Sequence, residues 1–265
     1  MRLPALFVFW ITMLVVASSC GSEEPVNPPV DPFDPSKVGS IDAVQRGSIT
    51  GFVTLYDEFG AKKPDNAGMV VSLEGLQTAF PSTTRAEGRF TITNAFAGLY
   101  NLSYRKEGYG NFKRIGINHL GGNTPTTAAP VDLWETPQTV PSELAVAVNG
   151  FALTFTGLTT PVQPATADTT QQRRVRLFFG RDERVSQLNY VSTLNQYRVP
   201  PGGQGAFSIR LSADDLLAFK PGERVYAVAY GITAIENAHV DPDTKRTVYS
   251  GTNPKPSNVV SFVLP

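Results

Sequence analysis

The chain has 265 residues, of which 41% are hydrophobic and 17% charged, and its formal net charge is +0. That length allows one or two domains with real cores, and a chain without a basic field is not built to hold nucleic acid. Its 23 glycines and 21 prolines favour many turns over long helices, and a single cysteine excludes an internal disulfide and a zinc site built on several thiolates.

Arg2 precedes an almost wholly apolar run, Leu3 to Val16, "LPALFVFWITMLVV". The run is shorter than the about 20 residues that span a bilayer and has the length of a signal-peptide apolar region. Ala17, Ser18 and Ser19 follow, then Cys20. This segment resembles a bacterial lipoprotein signal, although Val16 and Ala17 stand where the commonest pattern has Leu and Ser or Ala. The resemblance implies a signal peptide over residues 1–19, cleavage before Cys20, and acylation of its thiol and new amino group. The partner is then a membrane, reached through the lipid anchor on Cys20. An ordinary secretory signal and an N-terminal membrane anchor are the alternatives.

Directly after the cysteine, Ser22, Glu23 and Glu24 resemble the surface-export signal of Bacteroidetes lipoproteins, which implies an outer-membrane lipoprotein facing the medium. A periplasm-facing lipoprotein with a solvated linker is the alternative. Residues 20–45 are rich in Pro, Asp and Ser and carry no apolar period. They read as a disordered tether, extended at about 3.1 Å per residue where proline-rich.

The period changes at Ser48. In "SITGFVTLY" Ile49, Gly51, Val53 and Leu55 share one parity; Phe90 and Ile92 do so in "RFTITN", and Tyr100, Leu102 and Tyr104 in "LYNLSYRK". Short period-two runs separated by turns predict an antiparallel sandwich over residues 46–135. "TTRAEGRF" predicts a tight hairpin with Gly88 at positive φ. The series Gly51–Val53, Pro64, Val71–Leu73, Thr83–Thr84, Gly88–Phe90, Gly98–Leu102 and Gly108–Tyr109 resembles the carboxypeptidase regulatory-like domain, a transthyretin-like sandwich. It departs at "NAFAG", where that family usually has a proline before the glycine. The resemblance implies an accessory module without catalytic residues.

Thr136 to Glu143 reads as a junction into a second domain, residues 136–265. "LAVAVNGFALTFTGL" predicts two short strands about a type I′ hairpin or bend at Asn149–Gly150. "RRVRLFFG" is a strand with Val175, Leu177 and Phe179 on one parity. "GAFSIRLSADDLLAF" starts as a strand and ends in one helical turn capped by Ser212. "PGERVYAVAYGIT" is a turn and a strong strand, and "SNVVSFVLP" closes the chain as another. The late turn Pro221–Gly231 and the ending Asn253–Pro265 resemble a fibronectin type III-like or Ig-like sandwich. The expected fold class is therefore all-β, two tandem antiparallel β-sandwiches after a signal peptide and tether.

Little in the chain carries chemistry. The two histidines, His119 and His239, fall in different domains without a His or Cys partner at metal spacing, and read as loop or edge residues. No G-x-S-x-G elbow occurs. Ser103 and Lys106 have S-x-x-K spacing, but on a strand residues three apart face opposite ways, so the match is a coincidence. "DPDTK", Asp241 to Lys245, offers too few oxygens for calcium and reads as a turn. "PPGGQG", Pro200 to Gly205, lacks the Lys-Ser or Lys-Thr pair of a phosphate cradle.

In the polar loop Thr159–Gln172, Asp168-Thr169-Thr170 resembles a Bacteroidetes O-glycosylation acceptor, which implies a glycan on Thr169. Tyr100, Tyr104, Tyr109 and Phe112 could contact a sugar, but core and hairpin packing is the stronger reading, and Trp134 reads as packing between the domains.

These observations lead to a non-catalytic envelope lipoprotein with no cofactor and no metal. It displays two sandwiches to a glycan or protein ligand. An accessory subunit of a polysaccharide-uptake or envelope complex is the alternative; a peptidase- or glycanase-associated protein is a second.

Overall fold

The computed structural model describes residues 45–75, 80–163 and 171–265. The leader, the tether up to residue 44 with Cys20, Ser22, Glu23 and Glu24, and Thr169 lie outside the described residues.

The first sandwich pairs two sheets. In one, β1 (Arg46–Tyr56) lies antiparallel to β4 (Arg89–Phe96) and parallel to the short β7 (Thr126–Thr127) and β8 (Val131–Trp134). The other runs in the order β3 (Ser82–Thr83), β2 (Val70–Leu73), β5 (Gly98–Arg105) and β6 (Phe112–His119), all antiparallel. The period-two pattern sets the inner faces: Ile49, Val53, Leu55, Phe90 and Ile92 meet Val71, Leu73, Leu102 and Tyr104 in one core. Gly51 shares that parity for a packing reason, since a Cβ there would press on the Phe90 ring.

One turn differs from its sequence reading. Across "TTRAEGRF" Arg85 N donates to Arg89 O (3.1 Å) and Gly88 N to Arg85 O (2.8 Å). Yet β3 pairs with β2, and β4 with β1, so this turn passes between sheets instead of closing one ladder. Gly88 does take positive φ, 85°, and a Cβ there would run into the Val53 carbonyl.

In the second sandwich β9 (Val140–Asn149), β10 (Ala152–Thr160) and β14 (Phe207–Ser212) form a three-stranded sheet in the order β14-β10-β9. The strands expected to be short are long, and β9 begins inside the segment read as a junction. Their hairpin turns on Gly150 and Phe151, with Asn149 opposite Ala152. Of the two turn residues only Gly150 has positive φ, 56°, so the turn is of the II′ kind.

The facing sheet is centred on β11 (Arg174–Gly180) and β15 (Arg224–Ile232). β12 (Ser192–Thr193) and β13 (Tyr197–Arg198) flank β11, while β18 (Thr252–Pro256) and β19 (Val260–Val263) flank β15. After β14 the expected turn forms as a 3-10 turn, Ala213–Leu216; Ser212 caps it and the Asp215 carboxylate accepts from Ser212 N (2.8 Å). Between the sheets Phe155 lies edge-on to Phe179 (5.7 Å) and Phe262 (5.6 Å).

A third layer covers the outside of this sheet. The segment after β11 and the hairpin of β16 (Ala238–Val240) with β17 (Thr247–Tyr249) enclose Phe178, Val185, Val228 and Tyr230. Phe178 meets the rings of Tyr190, Tyr230 and Tyr249 at 5.1, 5.5 and 6.1 Å. This layer is why β11 is buried on both faces from Val175 to Gly180.

Val44 to Pro265 forms one compact unit, so both sandwiches belong to a single body. Among the described residues no helix is long and apolar enough to cross a membrane.

Candidate functional site

The junction between the sandwiches is tightly made. Burial pushes the Glu58 carboxyl above its ordinary value, against the backbone bond from Gln138 N and the nearby Arg173. Glu58 accepts from Gln138 N at 2.9 Å and lies 3.7 Å from the Arg173 guanidinium, which also donates to Thr139 Oγ1 at 3.1 Å. Asn253 Nδ2 donates to Pro137 O (2.6 Å), and Asn237 Nδ2 to Asp132 O. His239 on β16 stands edge-on to Phe112 on β6, ring centres 5.6 Å apart. Gly110 abuts the Ser250 carbonyl so closely that a Cβ would overlap it.

Beside these contacts a cleft of about 300 Å³ opens between the sandwiches. That is at the small end of ligand pockets, which run from about 300 to 1,000 Å³. The first sandwich contributes Tyr109, Gly110 and Asn111, which follow β5 and lead into β6. Thr136, just past β8, adds a hydroxyl, and its backbone N donates to Gly108 O at 2.7 Å. The second sandwich contributes Gln187, Leu188, Val248, Tyr249 and Ser250 from its third layer, with Thr252 and Pro254 of β18. Among the described residues none that lines the cleft is charged.

Tyr249 is a fixed wall. The Arg176 guanidinium lies 4.0 Å over its ring, and Arg176 is held 2.6 Å from Glu236. Burial raises the Glu236 carboxyl above its ordinary value although Arg176 opposes this. Tyr109 is half-buried, with the Lys106 ammonium 5.4 Å from its ring centre. Its phenol is pushed up to about 12 by burial, aided by the charges of Glu135 and Asp57, so it stays a neutral hydroxyl at physiological pH. Thr252 is buried and its Oγ1 has no hydrogen-bond partner among the described residues.

The four aromatics weighed from the sequence divide sharply. Tyr100, Tyr104 and Phe112 are core residues, and only Tyr109 reaches the cleft. Trp134 stacks on Tyr56 of its own sandwich, ring centres 5.1 Å apart. His119 does lie on an edge strand, β6, as its sequence reading allowed, but its side chain turns inward. At 1% exposure it is a core histidine, with Nδ1 2.7 Å from Thr126 Oγ1 and Nε2 3.3 Å from Ala95 O. The isolated-histidine signal could not show this, because Thr126 and Ala95 reach it only through the fold.

The other motifs are structural. Ser103 is buried on β5, whereas Lys106 Nζ donates to Ala67 O at 2.5 Å. Asp241 Oδ1 accepts from Thr244 N (2.8 Å) and Asp243 N (3.1 Å), making the turn between β16 and β17. Gly205 O accepts from Thr159 N at 2.8 Å, so "PPGGQG" packs against β10. Gln163 closes the base of the Thr169 loop, donating to Gln171 O (2.7 Å) and accepting from Arg173 N (2.9 Å). Among the described residues no three His, Cys, Asp or Glu side chains gather as a metal site would require.

No protein-family model and no curated protein matches the sequence. Among solved structures, the chain is similar to a protein of Bacteroides uniformis provisionally described as carbohydrate-binding. The identity is 15% over 82% of this chain and 98% of that one, with a TM-score of 0.32. It is also similar to a DUF3823 family protein of Bacteroides ovatus, at 14% identity, 83% and 100% coverage and a TM-score of 0.28. A DUF3823 family protein of Parabacteroides merdae gives 15%, 79% and 98%, with a TM-score of 0.27. These scores describe a coarse likeness among β-rich chains and carry nothing about what this chain binds.

Proposed function

We propose that this protein is a non-catalytic binding protein of the cell envelope, and that the cleft between its sandwiches holds a neutral glycan segment. The observation that carries this reading is the lining of the cleft. Tyr109 offers an aromatic surface, Asn111 and Gln187 offer amides, and Thr136 and Ser250 offer hydroxyls, with no charge among them. Sugars present apolar ring faces and many neutral hydroxyls, and such a wall complements both. The walls come from different sandwiches that share one body, so the site is preorganised and little ordering entropy is lost on binding.

On the same reading, Cys20 is the acylated first residue of the mature chain, and Ser22, Glu23 and Glu24 direct it to the outer leaflet. The proline-rich tether then holds the binding unit away from the membrane. The first sandwich acts as a carboxypeptidase regulatory-like module. The strand order β14-β10-β9 against β11, β15 and their flanking strands supports a fibronectin type III-like second module. Thr169, on the loop whose base Gln163 closes, carries the O-glycan.

The test is an array of neutral gluco-, manno- and xylo-oligosaccharides probed with the full chain carrying Cys20→Ser. Retention of at least one class, weakened about tenfold or more by Tyr109→Ala, is the expected result. Uniform absence of binding, or binding indifferent to Tyr109→Ala, contradicts the assignment. For the anchor, palmitate incorporation must vanish in Cys20→Ser, and protease shaving of intact cells must remove the wild-type protein.

A further inference from the structure

A second surface has different chemistry. On the open edge of the first sandwich, β3 and β4 border a groove of about 440 Å³ lined by Ser82, Thr83, Arg85, Arg89, Thr91 and Thr93. Two of these six side chains are cations, none is an anion, and the rest are hydroxyls. Neither Arg85 nor Arg89 forms an ion pair or a side-chain hydrogen bond among the described residues. Glu87, between them in the turn, does not line the groove.

The arginines stand on a fixed support. Asn66 is buried; its N and Nδ2 donate to Ala86 O at 3.0 and 3.3 Å, and its Oδ1 accepts from Leu55 N at 2.7 Å. Gly88 holds the turn against Val53, whose N donates to Gly88 O at 2.9 Å. Along β4, Arg89, Thr91 and Thr93 share the outer face. Across the ladder Arg89 lies opposite Phe52, which is 45% exposed, and Thr91 lies opposite Thr50. Phe52 therefore holds the register position next to Arg89, at the head of the row of hydroxyls and just outside the groove lining.

We propose that this edge is a binding site for an acidic polysaccharide, a chain of sugar carboxylates lying along β4. Guanidinium groups pair carboxylates in a planar, two-pronged geometry. The threonine row meets sugar hydroxyls, and Phe52 offers a face for a sugar ring. An acidic peptide would satisfy the arginines but would make no such use of the aromatic face and the hydroxyl row. The site is separate from the neutral cleft, with which it shares no residue.

The test is titration of the full chain carrying Cys20→Ser with polygalacturonate, with its methyl ester, and with polyglutamate of similar length. Polygalacturonate should bind, and esterification should weaken it at least about tenfold by removing the charge. Arg85→Gln and Arg89→Gln should each cause a similar loss with the unfolding midpoint unchanged, while Tyr109→Ala should leave the affinity as it was. If Arg89→Gln fails to fold, Arg85→Gln on the turn gives the same readout. Three results each overturn the proposal: no binding of polygalacturonate, equal binding of acid and ester, or polyglutamate bound as tightly as polygalacturonate.

Discussion

The two sandwiches bury their sheets differently. The first has one core between its sheets, and its β1–β4 sheet turns Thr50, Phe52 and Thr91 outward. The second has an inner core and then a third layer, in which Tyr190, Tyr230 and Tyr249 gather round Phe178 outside β11 and β15. That added layer supplies Gln187, Leu188 and Tyr249 to the cleft and Asn237 and His239 to the junction. The contrast shows how a tandem of sandwiches becomes one body: an excursion from one module covers its own sheet and then docks on its neighbour.

The largest effect is expected where the second module's inner core is cut. Phe155 is fully buried between Phe179 and Phe262. Phe155→Ala should cost about 3–5 kcal/mol, read as a lowered midpoint in urea unfolding.

Next comes the junction. Gly110→Ala forces a Cβ into the Ser250 carbonyl and should cost about 1–3 kcal/mol. It should also split one cooperative unfolding transition into two, as the modules lose their contact. A single transition at the wild-type midpoint would mean that the docking adds no stability.

The third-layer ion pair gives a pH signature. Burial holds the Glu236 pKa above 4.5 in the folded protein. Folding therefore takes up a proton here between 4.5 and the raised value. This residue's contribution is flat below that window and turns less favourable as pH rises through it. Glu236→Gln cannot titrate and should remove that slope from thermal midpoints measured across pH 4 to 7, a range of about three units chosen to span ordinary carboxylates. An unchanged slope would remove Glu236 from the account. The smallest stability change is expected for Tyr109→Ala, about 1 kcal/mol because the ring is half-buried against the first core, although it should weaken neutral-glycan binding tenfold or more.

How far the sequence foretold these features follows from the range of the forces involved. Alternation along Ile49–Leu55, Phe90–Ile92 and Val175–Phe179 records which face each strand buries, so the all-β sandwich fold was readable. Ser212 was readable as a cap because capping is local, while the reciprocal bond from Asp215 came with the structure. The parity of Val175, Leu177 and Phe179 in "RRVRLFFG" marks one buried face of β11, and nothing in it says that residues near Tyr190 and Tyr249 cover the other. The hairpin reading of "TTRAEGRF" says nothing of Asn66, which supports the turn that carries Arg85, and Tyr109 could not be separated from Tyr104 until the chain bent between β5 and β6. A cleft that joins Tyr109 and Asn111 to Tyr249 and Ser250 leaves no periodic trace in the sequence.

Hydrogen–deuterium exchange with and without a mixture of neutral gluco-, manno- and xylo-oligosaccharides tests the central claim most directly. The account predicts that protection rises together in Gly108–Asn111 of the first sandwich and in Val248–Ser250 of the second, and that Tyr109→Ala abolishes both changes. Protection confined to one sandwich, or appearing instead along Ser82–Thr93, would contradict it.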